Sequence, residues 1–244
     1  MESVDTVFFG HEMKMIVNNT IKQLLLDKIY DITSVRVLDK LHESPGSFTD
    51  EFYKHPVFLT VNFKSDKYWL FFTTIEDVHC SVLVSRYVRV GYPYPRMFDV
   101  SASIRSKDAK FYENTLLECE LIGAKDAITS MCSASAPSLS SSSPPPPILL
   151  YAADMMIQIN RDVRKMNPCV RFANMHSILK QIELDVRFKL KPKILIHKCN
   201  IRHLRWYVRR ETHEVYGLTI YSCAPNVTTR RVWIDKTQEL YSKF

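Results

Sequence analysis

Glycine occurs at only five of 244 positions, Gly10, Gly46, Gly91, Gly123 and Gly217, and no two lie close together. The share is about 2% where ~7% is usual. Phosphate-cradling loops of the GxGxxG and GxxxxGKS/T types need neighbouring glycines so that the backbone can approach a phosphate. A Rossmann dinucleotide site and a P-loop are therefore excluded. Otherwise the chain is ordinary, with 46% hydrophobic and 24% charged residues. A chain of this length can bury a sizeable core, as one large domain or two small ones.

Charge is unevenly placed. Residues 151–244 carry 18 basic and 8 acidic side chains, against 15 and 18 in residues 1–150. The sharpest feature is the run 187–210, with Arg187, Lys189, Lys191, Lys193, Lys198, Arg202, Arg205, Arg209 and Arg210 and no acid. Phe188, Trp206 and Tyr207 are interleaved with them. Cations neutralise phosphates and release counterions, and aromatics offer bases a stacking surface. The run predicts a surface for RNA or another polyanion. The plainer reading is a solvated basic face with Trp206 and Tyr207 in the core.

The six cysteines are scattered without a CxxC pair, which leaves no zinc-finger or thioredoxin spacing. Met1-Glu2-Ser3-Val4-Asp5 has neither the basic nor the apolar region of a signal peptide. No apolar stretch approaches the ~18 residues of a membrane span. These features predict a soluble, intracellular protein with free thiols and no membrane partner.

The order of elements is legible. Apolar residues at helical spacing predict a helix over 15–29. Short β-rich runs follow at 56–63, 68–72, 81–90, 97–104 and 115–122, and several strands in succession argue for antiparallel pairing. Residues 132–147 hold seven serines and five prolines, a composition that supplies no core and predicts a disordered insertion. A strand at 148–151, a helix at 172–182, a strand at 187–196, a helix near 201–208 and closing strands at 215–221 and 230–234 complete the pattern. Residues 1–55 read as an N-terminal helix and lead-in, and 56–240 as the main domain.

Six short segments stand in a telling order. Tyr68-Trp69-Leu70-Phe71-Phe72-Thr73-Thr74-Ile75-Glu76-Asp77-Val78-His79 comes first, then Thr115-Leu116-Leu117-Glu118-Cys119-Glu120-Leu121. Leu149 to Asp154 with Arg161-Asp162-Val163-Arg164 is third, and Phe188-Lys189-Leu190-Lys191-Pro192 is fourth. Tyr216-Gly217-Leu218-Thr219-Ile220 and Val232-Trp233-Ile234 close the series. Together they resemble the nucleotidyltransferase domain of mRNA guanylyltransferases and ATP- or NAD-dependent ligases, above all the capping enzymes of large DNA viruses. The resemblance covers about residues 56–240. It implies an α+β fold with antiparallel strands in two sheets around a cleft. That family's C-terminal OB-fold has no counterpart in the few residues after Ile234.

The same resemblance implies a degenerate site. In the family a strand ends in KxDG, whose lysine forms the lysyl-nucleotide adduct. Here that lysine aligns with Thr74, the following acid and glycine with Glu76 and Asp77, and an arginine with His79. The fourth-motif acid aligns with Tyr216, and the two lysines of the fifth motif with Val232 and Ile234. Threonine cannot form a phosphoramidate, and valine and isoleucine cannot offset phosphate charge. Glu120, Asp154 and His79 would remain as a vestigial pocket, without catalytic residues, metal or cofactor. A nucleophile shifted to Lys64 or Lys67 requires a different register. The alternative is then an active guanylyltransferase using GTP and Mg²⁺ through a lysyl-GMP intermediate. A third reading is a nucleic-acid-binding structural protein.

The expected role is that of a non-catalytic subunit of a viral transcription or capping assembly, in the nucleus or cytoplasm of an infected cell or in the virion. It would bind RNA through Lys189, Lys191, Lys193, Lys198, Arg202, Arg205, Arg209 and Arg210. His197, Cys199 and His203 fit no common zinc spacing and read as surface groups on a basic helix.

Overall fold

The computed structural model of the protein describes residues 8–9, 13–35, 56–122, 147–210, 213–223 and 230–233. Residues 132–146 of the Ser/Pro segment, Ile234 and the chain after it lie outside the described residues. The architecture is α+β, with mostly antiparallel sheets and few helices.

Strands β1 (Phe8–Phe9), β2 (Met13–Met15), β3 (Val57–Phe63), β4 (Asp66–Ile75) and β5 (Val78–Ser85) come first, with helix α1 (Asn19–Thr33) between β2 and β3. Next come β6 (Met97–Asp99), β7 (Ile104–Ser106), β8 (Thr115–Ile122), β9 (Ile148–Gln158) and β10 (Arg161–Asp162). Helix α2 (Pro168–Leu179), β11 (Ile182–Leu184), β12 (Phe188–Pro192), β13 (Ile196–His197), helix α3 (Ile201–Arg210), β14 (Val215–Ser222) and β15 (Arg230–Trp233) complete the chain. The larger sheet runs β1-β2-β6-β5-β4-β8-β9-β10, with β12 parallel to β9. A second sheet runs β13-β3-β14-β15, and β7 pairs with β11.

β4 shows why the large sheet is covered on both faces. Its side chains alternate, as the pleat requires. Trp69 and Phe71 join Val82, Val84, Leu116 and Ile157 under Leu25 and Ile29 of α1. Tyr68, Leu70 and Phe72 turn the other way, into a core shared with Phe172, Met175 and Ile178 of α2. A strand buried on both faces reads as a continuous apolar run, and Tyr68 to Phe72 is one. The third cluster belongs to the small sheet: Val57, Leu59, Val61, Phe63 and Leu218 with Tyr151, Ile196 and Leu204 of α3.

Several element boundaries differ from the sequence expectation, each for a local reason. α1 starts at Asn19 because the Asn18 side chain accepts hydrogen bonds from the Thr20 and Ile21 amides at 2.8 and 3.3 Å, a favoured N-cap. The residues before it pair with β6 as strand. The 97–104 run is two strands, since Asp99 accepts from the Ser101 amide and starts a turn after β6. The 187–196 run is also two strands, and they lie in different sheets. The Lys193 amide makes the last bond to β9, to the Ala152 carbonyl at 2.9 Å, and the chain then leaves for the small sheet.

Candidate functional site

The chain crosses between the two sheets at two places that matter. β3 of the small sheet leads through Lys64-Ser65 into β4 of the large one. Later, β12 of the large sheet leads through Lys193-Ile194-Leu195 into β13 of the small one. Both crossings meet at Glu120. Register places Lys67 of β4 directly opposite Glu120 of β8, and the two form an ion pair. Lys193, anchored by its amide to the Ala152 carbonyl at 2.9 Å, brings its Nζ to 2.7 Å from the same Glu120 Oε1. The second oxygen, Oε2, accepts the Phe63 amide at 3.1 Å.

A small polar shell closes the cluster. Lys193 Nζ lies 3.4 Å from Asn62 Oδ1, which also accepts from the Thr219 hydroxyl at 2.7 Å. The Phe63 ring lies 5.5 Å from the ammonium and 4.7 Å from the Tyr151 ring. Glu120 is 2% exposed, Lys193 1% and Lys67 5%. A buried carboxylate that meets two lysines and an amide has three of its roughly four acceptor sites taken. Two residues along β8, Glu118 is held by Arg86, whose guanidinium lies 5.2 Å from the Trp69 ring.

Burial pushes the Lys193 ammonium well below its usual 10.5. Between the lowered folded value and 10.5 the unfolded chain holds more protons than the folded one, so stability rises with pH across that interval. We expect urea denaturation to show a larger gain in stability as pH rises toward about 10 for the wild type than for Lys193→Met. Equal gains would mean that Lys193 stays charged in the folded state.

The remaining pocket candidates are spread apart. Thr74 does not face Glu120. It lies seven residues beyond Lys67 on β4, roughly 23 Å along an extended strand. Its register partner is His79. Its carbonyl accepts from Lys28 Nζ at 2.7 Å, and its hydroxyl donates to the Tyr112 carbonyl at 3.3 Å. Glu76 and Asp77, with φ of 49° and 62°, are the two central residues of the β4–β5 hairpin. Positive φ at both positions is what a tight hairpin turn of this hand requires. His79 stacks on Tyr112 at 4.4 Å.

Asp154 is drawn to α2 instead of to Glu120. Its oxygens accept from Arg171 Nε and Nη2 at 2.6 and 3.0 Å. Burial raises its carboxyl above the usual 3.8 even though Arg171 pulls the other way. The backbone of Tyr216 lies in β14 at a register shift, and Val232 pairs with Leu218. Among the described residues no three His, Cys, Asp or Glu side chains gather as a metal site. The chemistry around Glu120 does not fit Mg²⁺ either, because two ammonium groups adjoin the one oxygen and Glu118 is already engaged.

The basic run divides in two. Lys193 is buried under Glu120, so it is withdrawn from the exposed surface expected of it. Lys189 and Lys191 point outward from β12, as do Arg202, Arg209 and Arg210 from α3, while Lys198 is half-buried. Leu204 is 1% exposed, with Tyr207 and Val208 packed beside it. Trp206 lies outside at 55% exposure, and Arg210 covers its ring at 4.1 Å. The Arg205 side chain lies outside the described residues. No described helix is long and apolar enough to cross a membrane. Compared with known proteins, the chain matches no family model and no curated protein.

Proposed function

We propose that this protein is a catalytically inert, guanylyltransferase-like chain that acts by holding RNA within a transcription or capping assembly. The state of Glu120 carries the reading. In the resemblance this is the surviving glutamate of the nucleotide site, and here its carboxylate is engaged by Lys67, Lys193 and the Phe63 amide and sealed from solvent. A carboxylate so saturated is not available to a nucleotide or a metal. The outward cations of β12 and α3 supply the polyanion-binding surface that remains.

One observation favours a second reading. β3 ends at Phe63 and is followed by Lys64-Ser65-Asp66-Lys67. The family's KxDG also follows a strand, so a register moved ten residues upstream puts Lys64 at the nucleophile and Lys67 at the glycine. Lys64 is accessible, at 59% side-chain exposure, and its Nζ lies 3.1 Å from Glu214. In that reading the Lys64 amine, its ammonium proton given up to water, forms a P–N bond to the α-phosphorus of GTP and releases a second proton to water as the bond forms. The bond from that phosphorus to the bridging oxygen breaks, and pyrophosphate leaves.

Label transfer separates the two. The protein is incubated with GTP or ATP labelled at the α-phosphate, with Mg²⁺, and run on a denaturing gel. We expect no covalent band. A labelled band that disappears in Lys64→Ala would overturn the inert reading and establish the second.

A further inference from the structure

We propose that Trp206 and Arg210 form a base-stacking platform for single-stranded RNA on the outer face of α3. This rests on the RNA-binding reading above and gives it a site. Leu204 fixes the rotation of the helix. Its burial against Val57, Leu59 and Leu218 turns positions 202, 206, 209 and 210 outward, since residues three and four apart share a face. Trp206 is large and apolar, yet more than half of it is exposed to solvent. Its neighbour Tyr207, equally aromatic, is the one that packs inward.

Arg210 sets the chemistry of the ring. Its guanidinium lies 4.1 Å from the indole centroid, one helical turn away. The contact holds the indole in place and puts positive charge at its surface. A fixed indole beside guanidinium groups suits an unpaired base carrying a phosphate. Arg202 and Arg209 flank it from the adjoining turns, and Lys189 and Lys191 extend the cationic surface along β12. The occupant is a polyanion because residues 187–210 contain no acid. It is single-stranded because bases inside a duplex are stacked on one another and cannot reach the ring.

The test measures binding of a labelled oligouridylate, an RNA duplex of equal length and a polyglutamate peptide to the full chain across salt concentrations. For Trp206→Ala we expect roughly tenfold weaker binding of the oligouridylate. Its salt slope should stay unchanged, with no effect on polyglutamate, and Trp206→Phe should retain most of the affinity. Changing Arg202, Arg209 and Arg210 together to Gln should flatten the salt slope by about two units, at ~0.7 for each phosphate left without its cation. Thermal melts check that these exposed replacements leave the fold intact.

An oligouridylate affinity unchanged in Trp206→Ala would overturn the platform and leave RNA binding standing. A duplex bound as tightly as the single strand and weakened equally by Trp206→Ala would also overturn it. Loss of polyglutamate binding alone would assign the face to an acidic protein. A wild type that binds no RNA even at low salt would remove the RNA-binding reading itself.

Discussion

Replacing Glu120 with Ala is expected to cost on the order of 3–5 kcal/mol of folding stability, the usual loss when one partner of a buried ion cluster is removed. The reason is what the substitution leaves behind. Lys67 and Lys193 are 5% and 1% exposed, and Glu120 is the carboxylate both of them reach. Without it two buried lysines share a dry site with no carboxylate, and any proton they carry must be given up or hydrated by water drawn in. The Phe63 amide also loses its acceptor. Chemical denaturation reads the loss directly. Replacing all three charged residues by apolar ones (Lys67→Met, Glu120→Leu, Lys193→Met) should recover most of it, because buried ion clusters are often no better than apolar packing of equal volume. A loss below about 1 kcal/mol for Glu120→Ala would mean that water reaches the cluster.

Arg171→Ala is expected to be as damaging, on the order of 3–5 kcal/mol. At ~2–4 °C of Tm per kcal/mol for a chain this size, that is about 10 °C. Arg171 is 3% exposed and does two jobs. Its Nε and Nη2 hold both oxygens of Asp154, and its Nη1 donates to the Arg164 and Met166 carbonyls at 2.7 and 3.2 Å. Those carbonyls belong to the segment leading into α2. The pH dependence follows from the sign of the Asp154 shift. Burial already raises that carboxyl above 3.8, and losing Arg171 removes the group that opposes the rise. The folded variant then holds a proton that the unfolded chain releases, so its stability falls as pH rises through the folded value. The defect relative to wild type should therefore be largest at neutral pH and shrink toward about pH 4. A defect independent of pH would assign the loss to the backbone contacts alone.

Much of the secondary structure is written locally. Tyr68 to Phe72 reads as a strand because it is an unbroken apolar, β-favouring run, and Leu204 and Val208 mark the inner side of α3 by their spacing. The candidate site was harder to read. Thr74-Ile75-Glu76-Asp77 looks like a motif at the end of a strand, but Glu76 and Asp77 are the central residues of a hairpin turn. The strand end that leads from one sheet to the other is at Phe63. A lone lysine ahead of an apolar run, Lys67 before Tyr68, was the available signal for a buried charge. Only the pairing register could supply its partner.

By itself the sequence determined the class of fold, the absence of glycine-rich phosphate loops and the concentration of cations in 187–210. These depend on composition and on periodicity within a few residues. Tertiary structure alone decided which charges are inside. Lys67 meets Glu120 across 53 residues of chain, and Lys193 joins them where β12 makes its last bond to β9 and the chain crosses between sheets. Lys189 and Lys191 are the same residue type, four and two positions before Lys193, yet they face outward. A side chain's environment is set by the strand or sheet that arrives opposite it, and that partner is remote in sequence.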